Sequence, residues 1–328
     1  MDLDKLFDKK NITASSKNLY MKNLARLNGG KPIKNMTFLK DHTKIEELLS
    51  KYKENTKRSY YISIVSLLKG LCDQNENSKV YKKLYHIYFE KMEQLNKSLK
   101  TNNEKTEKEK ENWISQEEVL EKLESLKGIV DIVEKKKKLN EEEFHRLQNL
   151  LVLSLYALQK PRRNRDYQDM LVYKKAPVHY AMDIKGNMVD LLPPHNILDL
   201  KGNQFIFTNF KTAKKYSIQE ISIDPSLRQT IDLYLKFHPT FRKSKEPVQL
   251  LVDFNGEAYK NNNDMTRILY KIFDKKIGVN MLRHIYLTDK YKDAIGSMKK
   301  DAEEMGTSVE MVKDQYVKTD DVRKSGKD

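Results

Sequence analysis

Hydrophobic positions in the first third of the chain recur every three or four residues, the period of helices with one buried face. From Ser15 to Leu27 the stripe is Leu19, Tyr20, Leu24 and Leu27, and a shorter one covers Thr43 to Tyr52. The clearest runs from Thr56 to Leu71 through Tyr60, Ile64, Leu67, Leu68 and Leu71. A fourth runs from Lys79 to about Leu95 through Tyr81, Leu84, Ile87 and Tyr88. Loops carrying Gly29-Gly30-Lys31-Pro32 and Asp73-Gln74-Asn75-Glu76-Asn77 separate these segments. The pattern predicts a small all-helical unit over residues 1–98. Residues 99–112 have almost nothing to bury and read as a domain boundary, either a solvated linker or the extended end of a helix.

A second domain, residues 113–328, begins near Trp113. Ser115-Gln116-Glu117-Glu118 has the form of a helix cap with Glu three residues on, ahead of Val119, Leu120, Leu123 and Leu126. Asn140 through Leu158 is another helix, with Phe144, Leu147, Leu151, Leu155 and Leu158 on its core face. Then the period changes to that of strands: Ile197 to Leu200, Gln204 to Phe207 and Ser217 to Ile223. Lys201-Gly202-Asn203 is a tight turn between the first two, and Asn209 to Lys215 a polar bend before the third. After Pro225 helices return: Leu227 to Phe237, Asn261 to Phe273, Asn280 to Tyr291, Met298 to Glu304 and Val309 to Tyr316. An α+β domain with a small antiparallel sheet among helices is the expected class.

Charge adds a partner to this picture. With 62 Lys plus Arg against 47 Asp plus Glu, the formal charge is +15. Such an excess favours a polyanion, because each neutralised phosphate releases counterions; a basic solvated surface is the alternative. The single cysteine, Cys72, rules out an internal disulfide and any Cys-based zinc or iron–sulfur site built within the chain. No stretch approaches the roughly 20 apolar residues of a membrane-spanning helix. The opening Met1-Asp2-Leu3-Asp4 lacks the basic-then-apolar order of a secretion signal. No cofactor, metal or membrane partner is expected.

Four separated segments carry candidate chemistry. Pro161-Arg162-Arg163-Asn164-Arg165-Asp166-Tyr167 follows an apolar helix, and guanidinium groups match phosphate oxygens in paired geometry; a solvated charge run is the competing reading. Phe210-Lys211-Thr212-Ala213-Lys214-Lys215 places a lysine at a hairpin bend, as a point charge or proton donor or as a plain solvated tip. In Asn280-Met281-Leu282-Arg283-His284, Arg283 sits beside core residues, a context that calls for a specific acidic partner in the protein or a ligand. Met305-Gly306-Thr307-Ser308 precedes a last helix that Thr307 or Ser308 caps and that ends at Tyr316, one of 18 tyrosines.

In that order, an arginine, a hairpin lysine, Leu-Arg-His, then Gly-x-Ser and a tyrosine, the segments resemble the catalytic domain of the tyrosine recombinase/integrase family. Pro161 takes the place of the family's glycine, Arg163 that of its catalytic arginine and Asp166 that of its acidic residue. Lys211-Thr212-Ala213 corresponds to the Lys-Thr-Gly hairpin, and Asn280-Met281-Leu282-Arg283 to His-x-Leu-Arg. Met305-Gly306-Thr307-Ser308 corresponds to Leu-Gly-His-Ser, which puts the nucleophile on Tyr316. Pro-Arg-Arg-Asn and Asn-Met-Leu-Arg-His look most like members encoded by large DNA viruses and their satellite elements.

The resemblance implies a mainly alpha core-binding clamp followed by an α+β catalytic domain. It also implies a double-stranded DNA substrate cut and rejoined through a 3′-phosphotyrosyl bond, by a homo-tetramer working inside the cell on the element's own DNA. The implied catalytic set is Arg163, Lys211, Asn280, Arg283, Thr307 and Tyr316, supported by Arg162, Asp166 and His284. Asn280 and Thr307 stand where histidine, or histidine or tryptophan, is usual. Asn donates a hydrogen bond but cannot shuttle a proton near neutral pH, so reduced or differently tuned chemistry is implied, with His284 compensating in part. A relaxing topoisomerase of the same chemistry, or a DNA-binding relative with little catalysis, are the alternative expectations.

Overall fold

Helices in this protein begin where the sequence supplies a side chain to satisfy their first free N–H groups. The computed structural model describes residues 6–7, 12–74, 79–100, 104–177, 180–182, 188–190, 192–261 and 263–317. Met1 to Asp4, residues 75–77, residues 101–103 of the expected boundary and the tail beyond Val317 lie outside the described residues. The chain divides into two compact units, Met1–Lys105 and Thr106–Asp328.

The first unit is helical: α1 (Ala14–Leu27), α2 (His42–Ser50), α3 (Glu54–Gln74) and α4 (Lys79–Lys100), with a single 3-10 turn at Thr37–Leu39. Thr13 Oγ1 accepts from Ser16 N and Asp41 Oδ1 from Lys44 N, capping the first two helices. The stripe predicted on α3 is the core: Tyr60, Ile64, Leu67, Leu68 and Leu71 are all buried. Each such side chain contributes about 1.5–3 kcal/mol on leaving water. Leu19, expected on the inner face of α1, is instead exposed, while Leu24 and Leu27 point inward. Tyr88 Oη donates to the Leu39 carbonyl at 2.8 Å, closing α4 onto the 3-10 turn.

The second unit opens with α5 (Glu107–Asn112), a capped helix within the stretch expected to be a boundary. Then come α6 (Gln116–Lys127), α7 (Ile129–Val133), α8 (Glu141–Ala157) and α9 (Asn164–Gln168). Ser115 with Glu118, and Asn140 with Glu143, form reciprocal capping boxes. Residues Leu150 through Tyr156 of α8 are all buried, so this half of the helix is buried on every side and forms the centre of the unit.

Strands β1 (Leu171–Tyr173), β2 (Tyr180–Met182), β3 (Met188–Asp190), β4 (Ile197–Asp199), β5 (Gln204–Phe207), β6 (Gln219–Ser222) and β7 (Val248–Gln249) come next. Between β5 and β6 lies a helical turn, α10 (Ala213–Tyr216), and between β6 and β7 runs α11 (Pro225–Phe237). The main sheet has the order β6-β5-β4-β1-β7, and β2 pairs with β3 apart from it. The expected antiparallel sheet needs correction: β1 runs parallel to β4, so the sheet is mixed. The reason is that β1, too short to carry a period, enters next to β4 from α9 instead of through a hairpin. Gly202 makes the β4–β5 turn, since a Cβ there would collide with the Asp199 carboxylate.

Two helices close the chain, α12 (Asp264–Phe273) and α13 (Val279–Glu304), before a short α14 (Val309–Met311) runs into a π-helical turn, Val312–Tyr316. The two helices expected between Asn280 and Glu304 are one continuous helix of 26 residues. Its interior holds Gly296 but no proline, and a glycine costs only about 1 kcal/mol there, too little to end it. Gly306, at φ +65°, terminates the helix in the left-handed conformation that glycine adopts freely. Among the described residues no helix is long and apolar enough to cross a membrane.

Candidate functional site

Arg163 stands at the N-cap of α9, directly after the turn that follows α8, and Arg283 lies in the second turn of α13. The fold brings these two together although 120 positions separate them in sequence. Burial, and next the repulsion of Arg163, hold Arg283 below its usual pKa, with Asp166 offsetting part of the effect. Neither guanidinium makes a hydrogen bond or ion pair among the described residues.

Arg162 has a different task. Its Nε donates to Asp166 Oδ2 at 2.9 Å and its Nη1 to Gln219 Oε1 at 2.7 Å. Its guanidinium carbon lies 3.7 Å from the centroid of the Phe207 ring and 5.0 Å from that of Phe210. Arg162 therefore fastens α9 to β5 and β6. Burial pushes the Asp166 carboxyl above the usual carboxylate range, against the opposing pull of Arg162 and then Arg163. Arg165, the third of the run, is exposed, with Nε 3.7 Å from Asp169 Oδ2.

Lys211 is exposed, in the β5–β6 connection, immediately after the Phe210 that faces Arg162. The connection is not the simple bend the sequence suggests, because residues 213–216 coil into α10. Asn196 sets its position. This side chain is buried; its Oδ1 accepts from Thr208 N at 3.1 Å and Asn209 N at 2.9 Å, and its Nδ2 donates to the Asp166 carbonyl at 2.9 Å. One side chain thus ties the root of the lysine loop to the arginine segment. Nothing in the sequence around Asn196 signals that role, since an Asn before a strand is ordinarily a turn residue.

Asn280 lies one helical turn before Arg283 on α13 and is exposed. His284 turns elsewhere: its Nδ1 is 3.2 Å from Glu109 Oε1, and with Lys276 N donating to Asn112 Oδ1 at 2.8 Å it anchors α5. Thr106 and, to a smaller extent, His284 hold the Glu109 carboxyl below its usual range. His284 is thus engaged with Glu109.

Thr307 and Tyr316 are not part of the arginine cluster. Thr307 N donates to the Ala302 carbonyl, at the far end of α13. Ala302 is 19 residues beyond Arg283 on a continuous helix, about 28 Å along its axis. Ser308, not Thr307, caps α14 by accepting from Met311 N at 3.2 Å. Tyr316 is 56% exposed, and its side chain makes no hydrogen bond, ion pair or ring contact among the described residues.

Beneath the arginines, Tyr156 and Tyr167 meet edge to face at 5.7 Å. The Tyr156 hydroxyl is buried without a hydrogen-bond partner, its pKa raised by burial and then by Tyr167 and Asp166, and lowered by Arg283. Three guanidiniums, Arg162, Arg163 and Arg283, thus share one carboxylate in a partly desolvated place. Such an excess of positive charge is relieved by an anion with several acceptor oxygens, and phosphate fits. Among the described residues no three His, Cys, Asp or Glu side chains converge to hold a metal ion. No protein-family model matches the chain, and no curated protein matches it significantly.

Proposed function

We propose that the protein cleaves and rejoins double-stranded DNA through a tyrosine nucleophile, as a site-specific recombinase of the integrase type. The observation that carries this reading is the pairing of Arg163 with Arg283, unpartnered and partly buried, beside the loop that presents Lys211. The two arginines clamp the non-bridging oxygens of a scissile phosphate and stabilise the charge that grows on them. Tyr316 Oη attacks the phosphorus in line, its phenolic proton passing to water, and forms a 3′-phosphotyrosyl bond as the bond to the 5′-oxygen breaks. Lys211 supplies the proton that makes this leaving group a 5′-hydroxyl. Asn280 adds a hydrogen bond one turn from Arg283. Rejoining is the reverse, so the phosphodiester energy is conserved in the tyrosyl link. Cleavage on this reading requires the C-terminal segment to carry Tyr316 to the arginines, from the same chain or from a neighbour in a tetramer.

A second reading has its own support. Thr307 lies beyond the far end of α13 and the Tyr316 side chain is unpartnered among the described residues, which favours a DNA-binding relative of the same fold with little cleavage. One experiment separates the two. The full-length protein is incubated with nicked duplexes that trap covalent intermediates, and adducts are read on a denaturing gel. The first reading expects an adduct on the wild type, none on Tyr316→Phe, and at least about a hundredfold less on Arg163→Ala or Arg283→Ala, the usual cost of losing one transition-state donor. An adduct that survives Tyr316→Phe removes the nucleophile assignment. Salt-sensitive duplex binding with no adduct at all favours the second reading.

A further inference from the structure

At the opposite end of α8 from the arginines, the second unit contains a concave surface that the proposed chemistry does not use. It is a cavity of about 520 Å³, walled by the segment between α7 and α8, the end of α11 with the residues after it, and the loop at Phe254. Tyr156, beside Arg283, and Phe144, in the cavity wall, are twelve residues apart on α8, about 18 Å along its axis. The two places are distinct.

No carboxylate lines this cavity. Lys137 and Lys138 face it from one segment, Arg242 and Lys243 from another, and all four are exposed. None of their charged groups makes a hydrogen bond or ion pair among the described residues. A fifth cation is fixed in place: Lys236 Nζ donates to the Glu134 carbonyl at 2.7 Å and lies 4.9 Å from the Phe237 ring centroid. The apolar part is aromatic. Phe237 and Phe254 are half-buried, and Phe254 is braced edge-on by Phe144 with ring centroids 5.8 Å apart. His238 is a wall and not a binding group, since both its ring nitrogens are taken by backbone groups.

Cations around an aromatic floor describe a ligand that is both anionic and flat. A bare polyanion needs no ring faces, and an acidic peptide brings no flat surface to lay on them. We infer that this cavity binds a nucleotide, its phosphate held by the four exposed cations and its base against the phenylalanine rings. The same chemistry comes from two sources, a free nucleoside triphosphate or an unpaired nucleotide of single-stranded DNA. The inference stands apart from the phosphotyrosyl reading, because none of its residues belongs to that site.

Two probes test it on the full-length protein, fluorescent mant-ATP and a short fluorescein-labelled oligothymidylate, each read by anisotropy. Replacing Lys137→Glu together with Lys138→Glu is expected to weaken at least one probe about tenfold or more, and Phe254→Leu about fivefold, the lower end of what one stacked base is worth. Whichever probe responds identifies the source. The pair Lys137→Arg with Lys138→Arg keeps the charge and is expected to keep binding within about twofold, which separates loss of the site from loss of the fold. Arg163→Ala with Arg283→Ala is expected to leave the Lys137 and Phe254 effects in place. The inference is overturned if neither probe responds to the charge reversal. It is also overturned if inorganic triphosphate competes as well as ATP while Phe254→Leu changes nothing, which leaves only a polyanion patch.

Discussion

The arginine end of the second unit and the segment that ends at Tyr316 are two halves of one expected site, and they are held in opposite ways. At the arginine end, polar side chains tie the arginine segment to β6, and the residue before β4 to the β5–β6 connection: Arg162 to the buried Asp166 and to Gln219, and the buried Asn196 to Thr208 and Asn209. In the terminal segment, residues 287–297 of α13 are all exposed, and Leu287, Tyr291 and Ile295 line up at successive turns of the helix with 46%, 44% and 50% exposure. The residues beyond that stretch are secured by the buried Ala302 and Val312 and by the backbone turn at Gly306. One region has its geometry imposed by desolvation; in the other, local helix propensity sets it. A group that must bind a phosphate repeatedly gains from the first arrangement, and a group that must travel gains from the second.

The sharpest way to break this contrast is within the arginines themselves. Arg162→Ala removes the partner of a carboxylate that is almost fully buried, along with the cover over Phe207, and is expected to cost about 3–5 kcal/mol. Arg163→Ala removes a guanidinium that makes no hydrogen bond or ion pair among the described residues, and its cost is expected to be within about 0.5 kcal/mol. Urea denaturation of both variants measures the difference. Equal losses would mean that Arg163 is structural and not reserved for a ligand.

How much of the fold and the site was legible divides along the same line. Periodicity located the buried helices because α3 and α8 each bury nearly every residue their stripes predict, such as Ile64 and Leu67 on one and Leu147 and Leu151 on the other. Motif order singled out Arg163 and Arg283, and their proximity comes from α9 packing on α12, which in turn packs on α13. The sequence did not reveal that Arg162 would be spent on Asp166 while Arg163 stayed unpartnered, because neighbouring arginines are distinguished only by which way each faces after a turn. Strands β1 and β7 escaped because three and two residues hold no period, and only pairing makes them strands, β1 on β4 and β7 on β1. The role of Asn196 depends on loops joined by tertiary contact. The break misplaced near residue 292 shows the limit from the other side: polar, exposed residues look like a helix boundary when a helix is exposed on all its faces.

Acid offers a second contrast, of somewhat smaller size. His238, in the packed part of the unit, donates from Nε2 to the Gln249 carbonyl at 3.0 Å and accepts at Nδ1 from Phe241 N at 3.2 Å. Burial pushes its pKa down to about 4, with its bonds to the backbone only partly opposing the shift. A histidine lowered in this way favours folding above its unfolded value of about 6.5, because the unfolded chain takes up a proton that the folded one refuses. That stability is lost as the pH falls from about 6.5 to 4, and it amounts to about 3 kcal/mol. Denaturation midpoints of wild type and His238→Gln across this window test it: the acid-side slope is expected to flatten by that amount in the variant. An unchanged slope would mean that the packed part is more open to water than its burial indicates.

The smallest expected effect tests the other half of the comparison. Leu287→Gln combined with Tyr291→Gln replaces two exposed apolar side chains on α13, and Gln is a good helix former. If nothing covers this face, no buried area is lost, and stability should change by no more than about 0.5 kcal/mol. The measurement is urea denaturation at two protein concentrations. A loss near 2 kcal/mol at both would mean that the face packs within its own chain, and the exposed description of this helix would fail. A loss that appears only at the higher concentration would mean that another copy covers the stripe, so that the segment leading to Tyr316 is held by a neighbour and not left unsupported.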